Sequence, residues 1–173
     1  MSTTVPAVFP KTGVDAIDSL DLDPIKVKLM DSEEGQGWSR EKADQMEQAY
    51  KAFLYLNLKY PDQPIVPTGE IDAFWHQHIL DTRKYAEDCQ QVFGHMLHHF
   101  PYFGMRGEQD AQNLQNAFEE TKHLFEEVFG ISLENAVNCS ISPGSCDAPQ
   151  CYPSKNLVCQ GGNTLAEARP TLV

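Results

Sequence analysis

A chain of 173 residues and 19.4 kDa has room for one hydrophobic core and little more. Hydrophobic residues make up 41% and charged residues 22%, the balance of a soluble globular protein rather than a disordered or fibrous one. A formal charge of -12 and a pI near 4.8 oppose phosphate backbones and anionic membrane surfaces, so neither nucleic acid nor membrane is expected as a partner. The N-terminal MSTTVPAVFPKTGVD has no basic region followed by an apolar run, and no later stretch approaches the roughly 18 apolar residues of a membrane span. The expected location is therefore cytoplasmic and reducing.

Residues 1–13 are expected to be an N-terminal extension. Asp23 and Pro24 then open a short helix, IKVKLM, which the glycine-punctuated DSEEGQGW closes. Ser39 is a helix N-cap, and Met46, Ala49, Tyr50, Phe53, Asn57 and Tyr60 recur every three or four residues behind it. That helix is predicted to end near Lys59, because Pro61 disfavours helical geometry at Tyr60. The proline-rich PDQPIVP is a connector, and Thr68 caps the next helix from about Gly69. YFGMRGEQD is a loop by its glycines. A further helix runs from Glu108 to Phe129, with Leu114, Ala117, Phe118, Thr121, Phe125 and Val128 on one stripe and Gly130 as its cap.

No run alternates as a strand does. The expected fold is all-α: a single domain over residues 14–138, a bundle of about four or five helices with Phe53, Phe74, Phe118 and Phe125 in its core. Beyond it, residues 139–173 hold only four charged residues (Asp147, Lys155, Glu167, Arg169) among Pro, Gly, Ser and Asn, so the whole charge of -12 falls in the first 138. This segment is expected to be an irregular tail. Its cysteines, 139, 146, 151 and 159, match no zinc-ribbon or small disulfide spacing. They offer thiols for a soft metal, and the tail a contact for a protein or peptide partner.

The chemistry concentrates in FWHQHILDTRKYAEDCQQVFGHMLHHFP, Phe74 to Pro101, which holds five of the six histidines and Cys89. Residues four apart on a helix share a face, so Asp72 and His76 form half of a cation site. His78 points about 200° away from His76, and its stripe continues through Tyr85 and Cys89. His95, His98 and His99 follow Gly94. In an unbroken helix from Gly69 to Val92, His76 lies about 27 Å from the level of Gly94, whereas five extended residues span only about 17 Å. A site shared by His76 and His98 or His99 therefore requires a break, and Asp81 and Thr82, both N-cap types, are where it is expected. The nearest ring nitrogens should then lie within about 5 Å. Imidazole, carboxylate and thiol are ligands for Zn, Fe and Cu. No phosphate loop, dinucleotide fingerprint, nucleophile elbow or H-E-x-x-H competes.

The same run resembles the signature of the glycine-rich domain-containing protein-like family, D-x-x-W-H-x-x-I-L-x-T-x-x-Y, then C, then F-G, then H-H-x-P. The correspondence falls on Asp72, Trp75, His76, Ile79, Leu80, Thr82, Tyr85, Cys89, Phe93, Gly94, His98, His99 and Pro101. His78 and His95 lie outside the pattern, and the glycine-rich regions that give longer members their name have no counterpart here. The resemblance implies no particular reaction.

The expectation is a small metal-binding protein, with His76, His98, His99 and Asp72 as candidate ligands of a transition metal (Zn, Fe or Cu). His78, Thr82, Tyr85, Cys89 and Trp75 are the surrounding candidates. Such a site serves a metalloenzyme if one coordination position stays open. One alternative is a non-catalytic interaction module whose histidines are structural. A second is a Cys-His nucleophile enzyme built on Cys89 with His98 or His99.

Overall fold

The computed structural model describes residues 13–138, so the expectations for the N-terminal extension and the cysteine-containing tail fall outside the described residues. Seven helices are described: α1 (Gly13–Asp18), α2 (Asp23–Met30), α3 (Arg40–Lys59), α4 (Gly69–Leu80), α5 (Thr82–Phe93), α6 (Glu108–Phe129) and α7 (Leu133–Asn138). No strand occurs among the described residues, and the fold is all-α. The expected four or five helices fall short by the two six-residue helices, α1 and α7, which are too brief to show an amphipathic period. No helix among the described residues is long and apolar enough to cross a membrane.

The central member is α3. The Ser39 side chain accepts a bond from the Lys42 backbone N–H, and the helix ends at Tyr60, one residue before Pro61. Its inner stripe, including Met46, Tyr50, Phe53 and Leu56, is fully buried. Helices α1, α2, α4 and α7 pack around it. Tyr50 stacks on Phe74 of α4 with ring centroids 4.9 Å apart, and Phe53 meets Trp75 at 5.0 Å. These aromatic pairs, and Phe125 from α6, make the core that the sequence places there; Phe118 lies at its edge, partly buried.

Helix α7 is fastened to α3 by side chains that take up its last carbonyls, Lys42 Nζ donating to Val137 O at 2.8 Å and Gln45 Nε2 to Ala136 O at 3.2 Å. Lys42 Nζ also lies 3.9 Å from the Glu70 carboxylate in the first turn of α4. In the same half of α3, Lys26 of α2 is buried among Asp23, Asp44 and Glu47. Burial works against its charge, but bonds to those carboxylates outweigh it and hold the ammonium above its ordinary pKa.

The break between α4 and α5 decides where the histidines go. Asp81 leaves the helical region (φ -82°, ψ 72°) and its carboxylate accepts from the Lys84 N–H, closing one helix and capping the next. Thr82, the other residue expected at the break, is the exposed first residue of α5. At its far end α5 stops on Gly94, whose φ of +75° is accessible to glycine at little cost. The chain then turns back along α4 through residues 95–100.

Candidate metal centre

Helix α4 is capped by Thr68, whose hydroxyl accepts from the Ile71 N–H at 3.4 Å. Ile71, Phe74, Trp75 and His78 form its buried stripe, the i, i+3, i+4, i+7 pattern of a core-facing helix. Asp72 and His76 lie on the neighbouring, outward stripe. The carboxylate oxygen of Asp72 is 3.4 Å from His76 Nδ1, and its other oxygen is 3.0 Å from His99 Nε2. The two imidazoles face each other with centroids 4.5 Å apart. One ligand atom from each of Asp72, His76 and His99 lies within 4.8 Å of the other two.

This is the juxtaposition that an unbroken helix forbids and the break at Asp81 permits. His76 is half-exposed at 53%, whereas His99 is 17% exposed because Trp75 covers its other face at 4.6 Å. A cleft of about 320 Å³ opens beside Asp72 and His76, walled by the α2–α3 loop at Glu34, Gly35 and Gln36 and by Gln77 and Leu80 of α4. His98, a candidate on equal terms with His99 in the sequence, is exposed and does not join the three. His95 is also exposed and bonds locally to Phe93 O.

His78 belongs to a different environment. It is 2% exposed; its Nδ1 pairs with the Tyr50 hydroxyl and its Nε2 with the Asp88 carboxylate, each at 2.9 Å. Lys84 reaches the same Asp88 oxygen at 2.9 Å. Burial alone would raise the Asp88 carboxyl, but bonds from His78 and Lys84 hold it below the usual carboxylate range. Burial likewise pushes the Tyr50 hydroxyl up, so it remains a neutral hydrogen-bonding group. By sequence Tyr50 is only a core-stripe residue and Asp88 carries no role, although Asp88 stands ten residues after His78 on the following helix. The signal for His78 was present: it lies seven residues beyond Ile71, on the core stripe.

The remaining candidates line the seam between these two places. Trp75 Nε1 donates to the Tyr85 hydroxyl at 2.9 Å, and Tyr85 donates onward to the Leu97 carbonyl. Cys89 is buried, and burial pushes its thiol up despite the neighbouring Leu97 N–H and Tyr85 hydroxyl. A nucleophilic cysteine requires the opposite shift, toward thiolate. The Nε2 of His99 is committed to Asp72 and His98 is exposed, so the geometry gives no support to a Cys-His nucleophile pair.

No solved structure matches the chain. Two proteins of Arabidopsis thaliana do: glycine-rich domain-containing protein 2, 30% identical over 122 residues, 68% of this chain, and glycine-rich domain-containing protein 1, 33% identical over 85 residues, 47% of this chain. The chain spans 15% and 10% of the length of these relatives. The family model described as UCP032817-like matches residues 14–126, from the second residue of α1 into α6, and so takes in the whole Asp72, His76 and His99 constellation. The chain belongs to the UCP032817-like family, that of the glycine-rich domain-containing proteins.

Proposed function

We propose that this helical domain binds one transition-metal ion through Asp72, His76 and His99, with a fourth position facing the cleft beside α4. The observation that carries the reading is the convergence of three ligands, two imidazoles and a carboxylate, from segments up to 27 residues apart, with their ligand atoms within 4.8 Å. Tetrahedral bonds of about 2.0–2.1 Å place neighbouring ligand atoms roughly 3.3 Å apart. Asp72 meets His99 through one oxygen at 3.0 Å and His76 through the other at 3.4 Å, so a small adjustment would bring all three to such a spacing. Two imidazoles and a carboxylate form a donor set that suits Zn²⁺ and Fe²⁺ and is also accepted by Cu²⁺.

Three protein ligands with an open side is the arrangement of catalytic rather than structural zinc. A bound ion there would act as a Lewis acid on whatever entered the cleft. Within that cleft the chain's own contribution is positional: Gln36 and Gln77 offer neutral hydrogen-bonding groups, and Leu29 and Leu80 offer apolar contact. A second reading is favoured by one observation, that Asp72 already bonds His99 and approaches His76, so the group satisfies itself as a polar cluster in a non-catalytic interaction module.

Elemental analysis of protein purified from metal-replete cells separates the two readings. Close to one equivalent of metal per chain is expected, lost in His76→Ala and His99→Ala. Wild-type stoichiometry below about a tenth, together with no binding on titration with Zn²⁺ or Co²⁺, overturns the metal reading in favour of the polar cluster.

A further inference from the structure

Asp72 and His76 stand on a capped helix, but His99 stands on irregular chain between Gly94 and Pro101, where no helical hydrogen bonds fix its position. A ligand set is only as well defined as its loosest member, and ordering a backbone residue costs about 1–2 kcal/mol. Something must hold residues 95–100 against α4 before a third ligand can count.

Two groups of α5 supply that hold at Leu97: the Cys89 thiol faces its N–H, and the Tyr85 hydroxyl takes its carbonyl. The Tyr85 hydroxyl accepts from Trp75 Nε1 at 2.9 Å and donates to the carbonyl of Leu97, two residues before His99. Trp75 precedes His76 on α4, and its ring lies 4.6 Å from that of His99. One buried hydroxyl on α5 thus ties the helix carrying two of the three groups to the segment carrying the third. Both Tyr85 and Trp75 are buried, at 4% and 6% exposure, where a hydrogen bond is less weakened by water.

We propose that Tyr85 is a positioning residue for the Asp72, His76 and His99 group, its hydroxyl fixing the Leu97 carbonyl so that His99 meets Asp72. The consequence for metal affinity rests on the metal reading above; the consequence for His99 does not. A phenylalanine at 85 keeps the ring and its packing but leaves the Trp75 N–H and Leu97 carbonyl without the bridging hydroxyl. Outer partners of this kind typically change metal affinity 10–100-fold when removed.

The test compares the full chain with Tyr85→Phe and Tyr50→Phe. The second variant deletes another buried hydroxyl, one that serves His78 and not His99, and controls for loss of stability alone. In metal-free protein, nitrogen-15 NMR of the His99 ring and amide exchange over residues 95–100 should both change in Tyr85→Phe and stay at wild-type values in Tyr50→Phe. In Co²⁺ titrations, Tyr85→Phe should bind at least about tenfold more weakly with an altered visible spectrum, and Tyr50→Phe should match wild type. If Tyr85→Phe loses its helical circular dichroism, Trp75→Phe, which removes the donor N–H from the other side, takes its place with amide exchange over residues 95–100 as the readout, because its ring also touches His99 directly. Wild-type His99 signals and exchange in the substituted protein overturn the proposal. If wild type binds no Co²⁺, the metal reading fails, and the metal-free measurements still decide the role of Tyr85.

Discussion

His76 and His78 stand one residue apart and share no environment: one is half-exposed beside Asp72 and His99, the other is enclosed between Tyr50 and Asp88. The tandem H-Q-H is therefore not a ligand pair. Two positions along a helix rotate the side chain by about 200°, which sends one histidine to the cleft and the other into the bundle.

The adjacent His98 and His99 give the sharpest test of the site. His99→Ala should abolish Zn²⁺ or Co²⁺ binding measured by calorimetry, because it removes a ligand that no neighbour replaces. His98→Ala should leave affinity unchanged, since His98 is exposed and outside the three. Equal losses in the two variants would mean that the segment rearranges on binding.

The buried pair of His78 and Asp88 predicts a pH dependence. The folded-state pKa of Asp88 is depressed, so its stabilising effect is present above the unfolded value of about 3.9 and lost as pH falls through the folded one. Asp88→Asn should cost about 1–3 kcal/mol near pH 7, from weakened bonding to a buried imidazole and loss of the Lys84 ion pair. The difference from wild type should narrow below about pH 4, as the wild-type carboxyl takes up its proton. Urea denaturation at pH 7 and pH 3.5 checks it; a gap that widens in acid contradicts the assignment.

Much of the framework was legible because each long helix is locally consistent. Ser39, Thr68, Pro61 and Gly130 mark helix ends with residue types that have one physical use there, and the aromatic stripes agree with the caps. The break at Asp81 was legible for a different reason: chain reach made it the condition for any shared site. The choice of His99 over His98 was not, because it depends on which way residues 95–100 face, and that is fixed by Tyr85 and Trp75, far away in sequence. Tyr50 as the partner of His78 was equally hidden. It sits on the core stripe of α3, and nothing local distinguishes a tyrosine that only packs from one that also bonds an imidazole across 28 residues.

The aromatic core makes a third prediction. Phe74 is fully buried against Tyr50 at the centre of the contact between α3 and α4. Phe74→Ala should cost about 3–5 kcal/mol. Against a total stability of about 5–15 kcal/mol, that puts the variant near the edge of folding. Guanidinium denaturation followed by far-ultraviolet circular dichroism measures it.

We propose, finally, that the folding unit ends at about residue 138. The sequence beyond has few charges, set among Pro, Gly, Ser and Asn, and no apolar period. Deleting residues 140–173 should leave the melting temperature within about 3 °C of wild type, the equivalent of less than about 1 kcal/mol. Loss of the cooperative transition would show that the tail is part of the core.

The mooring of α7 by Lys42 has a practical consequence. Because that ammonium group touches Val137 O and stands near Glu70, α7 is parked beside the first turn of α4, with Asp72 two residues and His76 six residues beyond Glu70. It is thus an observation post. A fluorophore attached at Glu134, exposed at the start of α7, sits outside the three groups on an element whose far end meets the first turn of α4 through Lys42. If the three groups hold a transition metal as proposed, a quenching ion would dim the dye, and its capture would be read optically without altering any of the three side chains.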